Sequence, residues 1–236
     1  MSTESYRHEL KFLCAEKDLR HMERKVRSLC PPDSHVGSSG SYRIKSLYFD
    51  TIDDQCYLEN LAGEDHRSKY RIRIYDDHTD QIRLECKSSL HDRKRKETCD
   101  LSERQYALVT GRLMAHIPPE TAETETPRLL ERFLAQQRTK LLRPKVIVEY
   151  VRSPYIFPAG NVRITFDRNI RSSPQVTDFL GTCRTFRSIL PPDVHILEVK
   201  YDRMLPGAIR ELLAGGQDLR RTSFSKYAMC RRYGIQ

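Results

Sequence analysis

Charged and apolar residues alternate along several short stretches of this chain, and the alternation has the two-residue period of a β-strand. In Lys69-Tyr70-Arg71-Ile72-Arg73-Ile74-Tyr75, the cations Lys69, Arg71 and Arg73 fall on one face, with Tyr70, Ile72 and Ile74 on the other. The same parity recurs in Arg7-x-Glu9-x-Lys11, Arg83-x-Glu85-x-Lys87, Lys94-x-Lys96 and Glu198-x-Lys200. Strands are predicted at about Tyr6–Leu13, Tyr42–Phe49, Ser68–Tyr75, Gln81–Lys87, Arg93–Asp100, Lys145–Arg152, Asn161–Asp167 and Val194–Tyr201.

Helical spacing replaces alternation between them. Leu19, Met22, Val26 and Leu29 make one apolar stripe that stops before Pro31-Pro32, and a loop runs from Pro31 to Ser41. Asp50 is placed to cap a short helix that runs to about Leu61 and closes at Gly63. Ser102-x-x-Gln105 is a capping-box pattern for a helix ending near Gly111, and Thr126-Pro127 opens another carrying Leu129, Leu130, Phe133 and Leu134. Ile117–Glu125 between them reads as a loop. Pro206 begins a helix with Ile209, Leu212 and Leu213 that ends at Gly215-Gly216, and a last one spans about Ser225 to Tyr233. The expected fold is α+β: an antiparallel β-barrel or strongly bent sheet, with helices packed around it and at its ends, in one domain over residues 1–236.

Taken one residue at a time, Arg71 and Arg73 read equally well as a solvated strand face, as does Glu198-Val199-Lys200. Five segments at matched parity, with apolar runs opposite them and helices able to cover those runs, tip the balance toward a charged interior. Like charges gathered there repel one another, so the pattern calls for an anion such as a polyphosphate.

Composition narrows this picture. A net charge of +9 and 31% charged residues suit an anionic partner and a partly charged interior. There is no Trp and no aromatic row among the cations, which argues against a base-stacking platform, so no nucleic acid is expected. Seven dispersed cysteines without a C-x-x-C pair read as reduced thiols of a cytoplasmic protein. The opening residues lack the order of a signal peptide, and no apolar run is long enough for a membrane span. Phosphate-loop, dinucleotide, H-E-x-x-H and G-x-S-x-G patterns are missing, and the histidines stand apart from the cysteines.

Phosphoryl transfer needs charge neutralisation more than a covalent helper. Lys11, Arg71, Arg73, Lys87, Arg163 and Lys200 are candidates to line such a site, with Glu198 as a hard oxygen ligand for Mg²⁺ or Mn²⁺. Ser225 reads first as a helix cap.

The order of motifs resembles the VTC domain, the polyphosphate polymerase module related to the CYTH, or triphosphate tunnel metalloenzyme, proteins. The likeness runs through Arg7-His8-Glu9-Leu10-Lys11-Phe12, Ser46-Leu47-Tyr48-Phe49-Asp50-Thr51, Lys69-Tyr70-Arg71-Ile72-Arg73 and Leu84-Glu85-Cys86-Lys87. It continues in Glu149-Tyr150-Val151-Arg152, Val162-Arg163-Ile164-Thr165-Phe166-Asp167, Leu197-Glu198-Val199-Lys200-Tyr201 and Ser223-Phe224-Ser225-Lys226-Tyr227. The resemblance implies a tunnel that binds ATP and passes a growing polyphosphate chain. It implies Lys11, Arg71, Arg73, Lys87, Arg152, Arg163, Lys200 and Lys226 as the catalytic phosphate-holding set and Glu198 as the metal carboxylate. Tyr150, Ser225 and either Lys94 or Lys96 would add phosphate contacts. Small triphosphatases of the wider superfamily begin with E-x-E-x-K, whereas Arg7 holds the first position here, which favours a polymerase over a hydrolase. A tripolyphosphatase or nucleoside triphosphatase, and a non-catalytic polyphosphate sensor, are the competing expectations. Membrane coupling, where it occurs, is expected through a membrane-protein partner.

Overall fold

The alternating segments do form strands. The structure, a computed structural model, describes residues 7–34, 36–90, 93–111, 127–181, 185–216 and 219–232. In chain order they form β1 (His8–Ala15), α1 (Glu16–Leu29), β2 (Tyr42–Asp50), α2 (Gln55–Ala62), β3 (Arg67–Tyr75), β4 (His78–Leu90), β5 (Arg93–Leu101), α3 (Glu103–Val109), α4 (Arg128–Lys140), β6 (Arg143–Phe157), β7 (Val162–Ser173), β8 (Arg187–Ser188), β9 (Val194–Tyr201), α5 (Gly207–Ala214), β10 (Arg220–Arg221) and α6 (Lys226–Arg232). The class is α+β. Six helices accompany a ten-stranded antiparallel sheet bonded in the order β10-β1-β9-β7-β6-β2-β3-β4-β5, with β8 paired to β7. Among the described residues no pairing of β5 with β10 closes the sheet into a barrel.

All eight expected strands are present, with corrected ends. β6 runs on to Phe157 instead of stopping near Arg152, because Pro154 sits where no donor is needed: its carbonyl accepts from Asp33 N at 3.1 Å, and Ile156 N donates to Pro31 O at 3.0 Å. The two-residue strands β8 and β10 are too short to leave a periodic signal. The loop expected over Ile117–Glu125, together with Thr126, Cys183, Tyr233 and the side chain of Lys94, lies outside the described residues.

The chain divides into two compact units. The first comprises residues 1–44, 149–172 and 186–233. Its apolar face comes from Cys14 of β1, Val162, Ile164 and Phe166 of β7, and Leu197 and Val199 of β9. Leu19, Met22 and Val26 of α1, with Ile209 and Leu212 of α5, pack against it. Leu29, expected on the same stripe, is 46% exposed, and Cys30 at the helix end takes the buried place at 1%. The helical angle explains this: four residues beyond Val26 lie closer to the stripe at the helix end than three.

The second unit comprises residues 45–148, 173–185 and 234–236. Tyr70 and Ile72 of β3 face Cys86 and Leu84 of β4 across the ladder. Phe133 of α4 packs edge-on against Phe49 and Tyr70, with centroids 4.9 and 5.2 Å away. The Ser102–Gln105 capping box of α3 forms in both directions, at 2.9 and 3.2 Å. α2 is capped from a distance. The buried Asp50 carboxylate accepts the backbone N–H groups of Thr51, Cys56 and Tyr57 at 2.8, 2.8 and 3.0 Å. Gly63 leaves the helix in the left-handed region at φ 70°.

Replacing Asp50 with Ala strands those three donors and should cost ~1–3 kcal/mol of stability, read as a lower urea midpoint at unchanged slope.

Candidate functional site

In the second unit the register of β3, β4 and β5 builds three rows on one face. Lys69, Lys87 and Lys96 stand side by side, then Arg71, Glu85 and Thr98, then Arg73, Arg83 and Asp100. Arg71 and Glu85 of the middle row are buried. Arg71 Nε donates to Glu85 Oε2 at 2.7 Å and its Nη1 to the Tyr48 hydroxyl at 2.9 Å. Arg73 Nε donates to Ser46 Oγ at 3.1 Å, with Nη1 3.9 Å from Glu85. Lys96 Nζ reaches the other Glu85 oxygen at 2.8 Å. Burial alone would raise the Glu85 pKa, but Arg71, Arg73 and Lys96 outweigh it and hold this carboxyl far below the usual carboxylate range.

This corrects one expectation. The cations are not left to repel one another until an anion arrives, because Glu85 already neutralises them in part. Of the two candidate lysines, Lys96 has its ammonium beside the arginine pair's carboxylate, and the side chain of Lys94 lies outside the described residues. Lys87, in the same row as Lys96, is exposed like it.

In the first unit β1, β9 and β7 set Lys11 opposite Glu198 and Glu198 opposite Thr165, with Glu9, Lys200 and Arg163 as the adjacent row. Lys200 Nζ lies 2.7 Å from Glu198 and 3.5 Å from Glu9. Lys11 Nζ lies 3.4 Å from Glu9 and donates to the Phe224 carbonyl at 3.3 Å. Next to them Asp167, wholly buried, takes a two-pronged contact from Arg152 at 2.6 and 2.7 Å and a third from Lys226 at 2.7 Å. Both cations also sit over the Tyr150 ring, 5.3 and 4.8 Å from its centroid. Arg163 pairs with Asp33 at 2.9 Å, and Ser225 Oγ accepts the Ala228 N–H at 3.3 Å as the cap of α6.

The electrostatics follow from this crowding. Desolvation opposes ionisation of Glu198, yet Lys200, Lys226, Arg152 and Lys11 hold its carboxyl well below the usual range. Asp167 is likewise lowered against its burial by Arg152 and Lys226. Lys226 is raised despite burial, by Asp167, Tyr150 and Glu198. These groups remain charged throughout the neutral range.

Thus Lys11, Tyr150, Arg152, Arg163, Glu198, Lys200, Ser225 and Lys226 share the first unit, and Arg71, Arg73, Lys87 and Lys96 the second. Sequence reasoning overlooked Asp167, although it has the parity of Arg163 in Val162-Arg163-Ile164-Thr165-Phe166-Asp167. It also overlooked Ser46 and Tyr48, which alternate along β2 and hold the two arginines. Among the described residues no group of three His, Cys, Asp or Glu side chains converges as a metal cage. Glu198, with Glu9 joined to it through Lys200, fits a divalent ion that takes most of its ligands from substrate phosphates.

The VTC domain model matches residues 6–233, and the chain belongs to that family. Several solved structures share its fold. A Hippeastrum protein, provisionally assigned as an adenylyl cyclase and described as having a dominant triphosphatase activity, is 15% identical with a TM-score of 0.57, covering 97% of this chain and 96% of its own. A Bacillus halodurans protein provisionally assigned as an adenylate cyclase is 14% identical with a TM-score of 0.55, covering 97% of each chain. The PH1819 protein of Pyrococcus horikoshii is 12% identical with a TM-score of 0.51, covering 97% and 99%. No curated protein sequence matches significantly.

Two outcomes are expected for the buried carboxylates. Glu85→Gln leaves Arg71, Arg73 and Lys96 without their counter-charge and should lower stability by ~3–5 kcal/mol. Since Glu85, Asp167 and Glu198 all have depressed folded pKa values, their stabilisation is complete above the unfolded carboxylate pKa of ~4 and is lost as pH falls through the folded values. The melting temperature should therefore hold steady from neutral pH to ~5 and fall below ~4, with a shallower acid fall in the Glu85→Gln protein.

Proposed function

We propose that this chain is a divalent-metal-dependent polyphosphate polymerase that moves the γ-phosphoryl group of ATP onto a phosphate chain and releases ADP. The sheet is taken to curl into the tunnel of the triphosphate tunnel class, with the reaction in the cytoplasm and membrane coupling, where it occurs, through a partner. Membership of the VTC family supports handling of phosphate chains. The observation that carries the reading is the excess of half-buried cations over carboxylates around the buried Glu198. Lys11, Arg152, Arg163, Lys200 and Lys226 outnumber Glu9, Asp33, Asp167 and Glu198 in the first unit. Arg7, at the position where triphosphatases carry a further glutamate, is turned into an ion pair with Asp202 at 3.1 Å.

The chemistry needs no side-chain nucleophile. A terminal oxygen of the acceptor chain attacks the γ-phosphorus, the bond to the β,γ-bridging oxygen breaks, and that oxygen leaves on ADP. Within each unit the cations are oriented before substrate arrives, Arg71 and Arg73 by Glu85 in the second and Arg152 and Lys226 by Asp167 in the first, so little reorganisation is needed as either set meets phosphate oxygens. Lys11 and Lys200 add point charges. Mn²⁺ or Mg²⁺, held by Glu198 and Glu9 together with phosphate oxygens, would neutralise the triphosphate further.

Purified protein incubated with ATP and Mn²⁺ should form ADP and long phosphate chains on a polyphosphate-stained gel, with inorganic phosphate a minor product. Inorganic phosphate equal to ADP and no polymer would mark a hydrolase; phosphate-chain binding with no ADP would mark a sensor. Glu198→Gln should keep ATP binding measurable while removing most turnover, and parental turnover across metal concentrations would remove Glu198 from the metal site. Arg71→Lys keeps a cation facing Glu85 but loses the planar fork, so ATP affinity should weaken by ~1.5–3 kcal/mol in calorimetry while the protein stays folded.

A further inference from the structure

Thr165 is the one uncharged member of its row. Across the ladder it faces Glu198, which in turn faces Lys11, and along β7 it stands between Arg163 and Asp167 on the same face. The side chain is only 3% exposed, and among the described residues its Oγ1 meets no hydrogen-bond partner. Every neighbour in the cluster is tied to a counter-charge, so the orphan stands out chemically. A buried hydroxyl without a bond is unfavourable, and a strand gains nothing from it that valine would not supply equally well.

We propose that the Thr165 hydroxyl is a further substrate-binding group, donating its hydrogen bond to a phosphate oxygen of the chain seated at Glu198 and Lys200. This rests on the phosphate-handling reading of the site. The surroundings select the acceptor. The cations around Thr165 outnumber the carboxylates, so an anion is drawn there. Asp167 is already taken by Arg152 and Lys226, and Glu198 is drawn toward Lys200. A phosphate oxygen both accepts from the hydroxyl and satisfies the surplus positive charge, which no neutral occupant would do. The shared chemistry is a phosphate oxygen, whether it belongs to ATP or to an inorganic chain.

Thr165→Val, a near-isosteric change, separates this role from a structural one, because the two move stability in opposite directions. In ligand-free, chelator-treated protein the variant should melt higher than the parent, since the unbonded hydroxyl is gone. Calorimetric titration without metal should show affinity for inorganic tripolyphosphate and for ATP both weakened by ~10-fold or more, the loss expected for a hydrogen bond to a charged group. Thr165→Ser should restore both. A valine variant that melts lower or fails to fold would show that the hydroxyl has an internal partner, and unchanged affinity for both ligands would show that it touches neither; either result overturns the proposal. A loss seen only after Mn²⁺ is added would place the hydroxyl on the metal and overturn it too. Parental protein that binds neither tripolyphosphate nor ATP would bring down the phosphate reading itself, a failure distinct from that of Thr165 alone.

Discussion

Buried cations must be neutralised where they stand, and the rest of the structure is arranged around that requirement. Three carboxylates meet it: Glu85 for Arg71, Arg73 and Lys96, Asp167 for Arg152 and Lys226, and Glu198 for Lys200. Removing ions from water costs several kcal/mol each, and only close, geometrically good pairing offsets that. Ladder register makes the Arg71–Glu85 pair, since the two stand directly opposite each other, whereas Lys200 reaches Glu198 from two positions along the same strand and Lys226 reaches Asp167 from α6. One residue of slip would turn the charges into the apolar layer and the isoleucines out of it, so the charge pattern specifies register as firmly as the hydrophobic one.

The same pairing prepares the protein for a ligand. An arginine held by a buried carboxylate loses little entropy when it grips phosphate, and its charge does not have to be gathered at the moment of binding. Neutralisation is incomplete, however, and the remaining positive charge is what an oxyanion would satisfy. Tyr150 contributes in a different way: its ring face stabilises Arg152 and Lys226 without adding a negative charge that would weaken an anion's attraction.

Much of this was legible in the chain. Alternation in Lys69-Tyr70-Arg71-Ile72-Arg73 and Glu198-Val199-Lys200 marks strands whose charged parity is largely buried, and the Gly63 and Ser102–Gln105 signals mark helix ends correctly because those caps involve a few consecutive residues, whereas Asp50 stands ahead of the N-cap Asp54 and reaches the first turn of α2 from a distance. Leu29 was misplaced because a stripe of apolar residues does not say where its packing partner ends, and β6 was cut short because Pro154 is tolerated only through what lies beside it. The expectation of mutual repulsion among the cations failed for a similar reason. Glu85 was visible as a neighbour of Lys87 along the strand, yet its partners come from β3 and β5.

The sequence by itself determined the α+β class, the strands, the parity of the charged face and the residue types able to hold phosphate, since all of these depend on spacing along one segment. Only the tertiary structure decided which carboxylate serves which cation, that Lys96 reaches Glu85, that Asp167 joins Arg152 to Lys226, and that the Thr165 hydroxyl meets no hydrogen-bond partner among the described residues. The physical reason is that an ion pair or an orphaned hydroxyl is a property of atoms brought together from distant parts of the chain. Burial then makes each such meeting consequential, because water is no longer there to substitute for the missing partner.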